Sequence, residues 1–211
     1  MRYAQGMAGR RPHRDQELVQ IVDAALTATT QKAGAWIACR PGCTQCCVGA
    51  FAINALDASR LRAGLAELRR SDAERASAVV RRANSYRERV RGTFPGNPDT
   101  GILDSDEESQ LRFEEFANDE VCPVLDPESG RCDLYEFRPM TCRVFGPPVR
   151  NEGGGLGICE LCFHGASPQQ IAACEMKPDP EGLEDSLLQE FGETVAGEET
   201  IVAFVLAEQA R

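Results

Sequence analysis

Cys39-Arg40-Pro41-Gly42-Cys43-Thr44-Gln45-Cys46-Cys47 places four thiols in nine residues, and the rest of the chain reads as a source of further ligands for them. A thiolate is a soft, charged metal ligand, and thiols three or four residues apart turn toward one ion when the backbone between them is a tight loop. Pro41-Gly42 supplies that turn, because proline fixes φ and glycine permits φ > 0. Cys43 and Cys46 have the spacing of a zinc knuckle or an iron–sulfur loop. Neighbouring side chains diverge, so Cys46 and Cys47 are expected to serve different metals or different atoms of one cluster. Inert burial of four thiols in nine residues is an improbable alternative. A disulfide framework needs an oxidising compartment, and a Cys46–Cys47 bridge would be strained. A redox dithiol made by Cys43 and Cys46 stays open beside metal ligation.

The chain has 211 residues, ten of them cysteine, with an apolar fraction of 42%. That length fits one domain with extensions. Residues 1–20 are polar and Arg-rich without an apolar stretch of signal-peptide type. No segment approaches the roughly 18 apolar residues that span a bilayer. The expectation is a cytoplasmic protein without a membrane contact, in a compartment where clustered thiols mean metal or redox chemistry. A net charge of −10 argues against general nucleic-acid binding. Charge is uneven: residues 60–91 carry ten Arg against four acids, and residues 99–136 carry thirteen acids against two Arg. The two segments are expected to pair with one another; the alternative is a basic helical face that docks an acidic protein partner. The lysines, Lys32 and Lys177, are outnumbered throughout by arginine, which reads as a compositional bias.

Residues 1–14 read as a disordered tail, 15–174 as a cysteine-cluster metal-binding domain, and 175–211 as an acidic, amphipathic helical segment. Asp15 is placed to cap a helix to about Ala33, with Leu18, Val22, Ala25 and Thr29 at helical spacing. Trp36 is a core anchor beside the site. Asn54, with Asp57 three residues on, opens a helix through Leu56, Leu61, Leu65 and Leu68. Ser71 is expected to cap a second, to about Val90, forming a helical hairpin with the first. Ser105 is expected to cap a third, acidic one to Asn118. The C-terminal segment, with Leu183, Leu187, Phe191, Ile201 and Phe204, is expected to fold back on the core in one or two helices; a partner-binding helix is the alternative.

The second informative stretch runs from Cys122 to Pro148. Asp126-Pro127-Glu128-Ser129-Gly130 is a turn signal, so Cys122 and Cys132 fall on or beside the arms of a small hairpin. Arg138-Pro139 then starts a short helical turn carrying Cys142. Cys43-x-x-Cys46-Cys47, Cys122-Pro123-x-Leu125, and Gly130-x-Cys132-x-x-Tyr135-x-x-Arg138-Pro139-x-x-Cys142-Arg143 together resemble the YkgJ-type cysteine-cluster family. That is a zinc- or iron-chelating domain also found in flagellin lysine methylases. The likeness covers about residues 39–174, with the 122–143 block its most specific part. It implies an eight-cysteine metal site in which Cys43, Cys46, Cys47, Cys122, Cys132 and Cys142 match directly. Cys39 departs from the pattern, standing three residues before Cys43 where the family has two. Cys159 is the expected eighth ligand, with Cys162 as the alternative. Gly153 to Gly157 form no phosphate loop and read as a flexible approach to Cys159. Cys174 reads as a helix-buried thiol. Arg138 and Arg143 are placed to offset thiolate charge or to pair with the acidic stretch.

The fold expected is mainly α, with helices packed around an irregular cysteine-rich core and a short β-hairpin. The functional expectation is a metal-binding protein holding iron, as mononuclear metal or a 4Fe-4S cluster, or zinc. Iron would make it an iron–sulfur oxidoreductase or a protein-modification factor acting on another protein. Zinc, which is redox-inert, would make it a structural or adaptor domain. Catalytic residues are not legible, and no nucleotide or S-adenosylmethionine site is.

Overall fold

The computed structural model describes residues 13–40, 42–151, 153–190, 192 and 197–208. Residues 1–12 of the expected N-terminal tail, Pro41 and Phe191 lie outside the described residues, while residues 13 and 14, expected in the tail, already belong to the first helix. The fold is mainly α, with eight helices and three two-stranded ribbons among the described residues.

Helix α1 spans His13–Ala33 and buries Leu18, Val22, Thr29 and Ala33 along one stripe. Asp15 does not act as its cap: it is buried and receives Arg60 of the next helix. Helix α2, Ala55–Ser71, starts where the capping signal places it, with the Asn54 side chain accepting from Asp57 N. Helix α3, Ala73–Val90, starts one residue later than expected. Ser71 closes α2 by bonding back to Glu67 O, which leaves the stronger acceptor Asp72 to cap α3. Helix α4, Glu107–Glu114, is likewise capped by Asp106 in place of Ser105. A carboxylate accepts from the helix N-terminus more strongly than a hydroxyl.

The leucines of α2 and the small residues of α3 form the main core: Leu61, Leu65 and Leu68 against Ala76, Val79, Val80 and Ala83. Each fully buried leucine contributes about 1.5–3 kcal/mol. Gly64 lets Phe137 lie on α2, since a Cβ there would fall 2.5 Å from the ring. Helix α8, Val202–Leu206, closes this core with Leu206, while Ile201 and Ala203 join a neighbouring cluster of Phe94, Phe116 and Tyr86. The C-terminal segment thus folds back, anchored by the Ile53↔Thr200 bridge. A separate cluster joins α1 to α5 (Met140–Val144) and α7 (Leu183–Glu190) through Leu18, Leu56, Met140 and Leu187.

The ribbons are β1–β2 (Gly96–Asn97 with Ile102–Leu103), β3–β4 (Leu125–Asp126 with Arg131–Cys132) and β5–β6 (Val149–Arg150 with Leu156–Gly157), all antiparallel. The middle one is the hairpin expected at Cys122–Cys132. The third lies where a flexible approach was expected: Asn151 N donates to Gly155 O (2.9 Å) and Gly154 N to Asn151 O (2.9 Å), turning the glycine run into a tight reversal. The two charged segments do pair. Arg75 and Arg82 both reach Asp133 (2.8 and 2.6 Å), Arg89 reaches Glu120, and Arg91 reaches Asp99. No helix of the described residues is long and apolar enough to cross a membrane.

Candidate metal centre

The opening cysteine stretch is irregular backbone held by short turns. Gly42 sits at φ +91°, and Cys43 N donates to Arg40 O (2.9 Å). A 3-10 turn over Gln45–Cys47 follows, with Cys47 N bonded to Thr44 O (2.8 Å). This tight turn brings Cys46 and Cys47 to 4.0 Å between sulfurs instead of splaying them apart. A tetrahedral ion with metal–sulfur bonds of about 2.3 Å has sulfur–sulfur edges of about 3.8 Å, so the spacing suits neighbouring ligands.

Tertiary hydrogen bonds bring distant cysteines to this turn. Cys122 N donates to Cys47 O (2.8 Å) and Gly49 N to Glu120 O (2.9 Å), beside the Val48↔Val121 bridge. Past Cys122 the chain turns, with Leu125 N on Cys122 O (3.0 Å), and the ribbon register sets Leu125 opposite Cys132. Helix α5 carries Cys142. Its first residue, Met140, donates its N–H to buried Asp57 (2.9 Å), and Asp57 also receives Arg60 (2.6 Å), which reaches back to Asp15 of α1. Cys46, Cys122 and Cys142 line one small cavity of about 20 Å³, whose other walls include Phe51, Tyr86 and Pro139.

These five thiols, of Cys46, Cys47, Cys122, Cys132 and Cys142, perturb one another. Burial pushes Cys122 up to about 12 and Cys132 up to about 11, and it pushes Cys142 up as well; nearby thiolates add to each shift. Cys46 goes the other way, down to about 7, because Cys47 hydrogen-bonds to it, with the Arg138 cation assisting. Cys47, the other partner of that contact, is raised, by Cys46 first and then by burial. Arg138 itself stacks on Tyr135 at 4.0 Å, and Arg143, fully buried beside Cys142, pairs with Asp23 of α1 (2.7 Å). Both arginines therefore reach Asp23, an acid outside the acidic stretch, Arg138 at 3.4 Å and Arg143 more closely, and Arg138 also lies near enough to lower Cys46.

The remaining cysteines gather elsewhere. Cys159 and Cys162 close a C-x-x-C turn, Cys162 N bonding Cys159 O (2.9 Å). Ala38 N donates to Cys162 Sγ (3.4 Å), so the turn abuts the residue before Cys39. Gln45 Nε2 donates to Glu160 (2.7 Å), Phe163 N donates to Trp36 O (2.8 Å), and the Trp36 and Phe163 rings stack with centroids 6.5 Å apart. Trp36 thus anchors this group. Cys39 shows part of its surface to solvent, yet its sulfur packs inward: a Cβ on Gly146 would fall 2.8 Å from it. Burial and the neighbouring Cys162, Cys43 and Cys159 push the Cys39 thiol up to about 12. Cys159 is also raised, by burial first and then by Cys162 and Cys43. Cys174 is buried in the apolar cluster behind this turn, at the end of α6 (Pro168–Ala173), as a thiol of the core.

The expected eight ligands therefore separate into two groups. Cys159 and Cys162, the expected eighth ligand and its alternative, both lie beside Cys39 and Cys43. The C-x-x-C spacing carried that signal. Among the described residues no three Cys, His, Asp or Glu side chains are already drawn tightly enough to hold an ion. The donors, soft thiols carried on short turns, a two-residue strand and the short α5, are of a chemistry that suits zinc or iron.

A family model described as "Putative zinc- or iron-chelating domain", CxxCxxCC, matches residues 38–155. Its span takes in the first group whole and Cys39 and Cys43 of the second; Cys159 and Cys162 follow its end. No curated protein and no solved structure matches the chain.

Proposed function

From the premise that the chain belongs to the CxxCxxCC family of zinc- or iron-chelating domains, we propose that it holds iron at the Cys46 group and works as a redox or protein-modification factor on another protein. The observation that carries this reading is the cavity. A structural thiolate site is closed by its four ligands, whereas a site used for chemistry keeps a position open. Here Cys46, Cys122 and Cys142 border a space with room for about one water-sized ligand. Bound iron would supply one-electron chemistry that zinc lacks. The chain's own residues have distinct parts. Phe51 and Pro139 keep the cavity apolar. Cys47 and Arg138 hold Cys46 as the most readily ionised thiol of the group. Burial raises the Tyr86 phenol, so it stays a hydrogen-bond donor on the cavity wall.

A second reading, a zinc-stabilised adaptor, is favoured by one feature: apart from the five-residue α5, the ligand-bearing segments are turns and a two-residue strand with little regular structure of their own. Visible absorption of protein purified without oxygen separates the two. Iron-based colour that bleaches with dithionite, and is lost in Cys142→Ser, is the expected result. Colourless, iron-free protein with stoichiometric zinc would overturn the iron reading in favour of the adaptor.

A further inference from the structure

We infer that Cys39, Cys43, Cys159 and Cys162 form a second, separate four-thiolate site for a single tetrahedral ion of the zinc class. Half of this site lies beyond residues 38–155, so the family match does not contain it. The inference rests on the proposed function only in taking this chain's thiols to bind metal.

Three arrangements build the site. The Cys159–Cys162 turn has the backbone bond of a zinc knuckle, and its second sulfur accepts a backbone N–H from Ala38 (3.4 Å). Such a bond favours thiolate over thiol. The Cys39–Cys43 arm is fastened opposite by Gln45 on Glu160 and by Phe163 N on Trp36 O, so two turns that are 116 residues apart in sequence (from 43 to 159) face each other. Gly146 completes it: Cys159 N donates to Gly146 O (3.3 Å), and the missing side chain leaves the space that Cys39 Sγ occupies. Gly146 stands at φ +125°, a conformation that favours glycine. Two thiols come from each turn, the usual make-up of a closed structural zinc site. The ion would clamp the 158–165 loop to the end of α1. Binding displaces one proton from each protonated thiol as its metal–sulfur bond forms, with no change in oxidation state.

The test uses the full-length, reduced, metal-free protein and zinc as the probe, with alkylation of each cysteine followed by mass mapping. Zinc at two equivalents is expected to slow alkylation of Cys39, Cys43, Cys159 and Cys162 together, by about ten-fold or more. Cys162→Ser is expected to lower bound zinc by about one ion per chain while Cys122 and Cys142 stay protected. Cys174→Ser, a buried thiol of the same region, is expected to keep the full zinc content and so controls for folding. Full zinc content in Cys162→Ser, or unslowed alkylation at Cys159 and Cys162 beside protected Cys122 and Cys142, would overturn the second site alone. Protection lost to a reductant but not to a chelator would reveal a disulfide and overturn it too. Protection nowhere would remove both this site and the proposed function.

Discussion

At the scale of single residues, the adjacent thiols Cys46 and Cys47 lie 4.0 Å apart and shift one another in opposite directions, Cys46 down and Cys47 up. Removing the partner thiol in Cys47→Ala is predicted to raise the Cys46 pKa from about 7, and removing the cation in Arg138→Met to raise it by less. Below its pKa a thiol loses about ten-fold in thiolate per unit. The iodoacetamide rate of metal-free protein at pH 7 therefore falls in the order wild type, Arg138→Met, Cys47→Ala; equal rates in all three would contradict the pairing. Gly146→Ala tests the other group. A methyl there meets Cys39 Sγ at 2.8 Å in a backbone conformation costing about 1–3 kcal/mol for a non-glycine residue. A lowered melting temperature with weakened zinc retention is predicted. The sequence showed the thiols and the knuckle spacings. It did not show that Cys46 and Cys47 would share a group, because that depends on a 3-10 turn with no propensity signature of its own.

At the scale of elements, the helices were legible wherever a cap and an apolar stripe agreed, as at Asn54 with Leu56, Leu61, Leu65 and Leu68. The starts at Ser71 and Ser105 were misplaced by one residue because a neighbouring Asp out-competed each hydroxyl. Asp15 was misread for a different reason: its partner, Arg60, lies 45 residues away. That buried set, Arg60 with Asp15 and Asp57, ties α1 and α2 to the first residue of α5 and so sets Cys142. Arg60→Ala leaves two buried carboxylates without their cation, and a loss of about 3–5 kcal/mol is predicted from denaturant unfolding. Asp57 adds a pH signature. Burial pushes its carboxyl from 3.8 up to about 6, against the pull of Arg60. A carboxyl raised in the folded state stabilises fully below its unfolded pKa, and that contribution is lost as pH rises through the folded value. The contribution of Asp57 is therefore lost between about pH 4 and 6. Asp57→Asn is predicted to flatten the wild-type fall in melting temperature across that window; an unchanged slope would assign it to other groups.

At the scale of the whole molecule, helices α2, α3 and α8 pack a main apolar core, whereas the cysteines sit on turns, a two-residue strand and the short α5. Chelation is accordingly predicted to expose residues 34–54 and 118–165 to proteolysis while far-ultraviolet helical signal largely survives. Metal uptake should also release protons. At pH 7.5 thiols with pKa values of about 11 to 12 are protonated, and each gives up its proton on binding. Apparent affinity must then rise steeply with pH, and a pH-independent affinity would exclude these thiols as ligands. The pairing of the basic and acidic segments was legible from their opposite charge. The division into two thiol groups was not, since it is fixed by long-range bonds such as Cys122 N to Cys47 O and Phe163 N to Trp36 O. The central claim, thiolate-bound metal, is tested most directly by X-ray absorption at the metal edge on protein purified without oxygen or added metal. An all-sulfur shell of about four atoms near 2.3 Å is predicted. A shell dominated by oxygen or nitrogen, or protein free of zinc and iron, would contradict it.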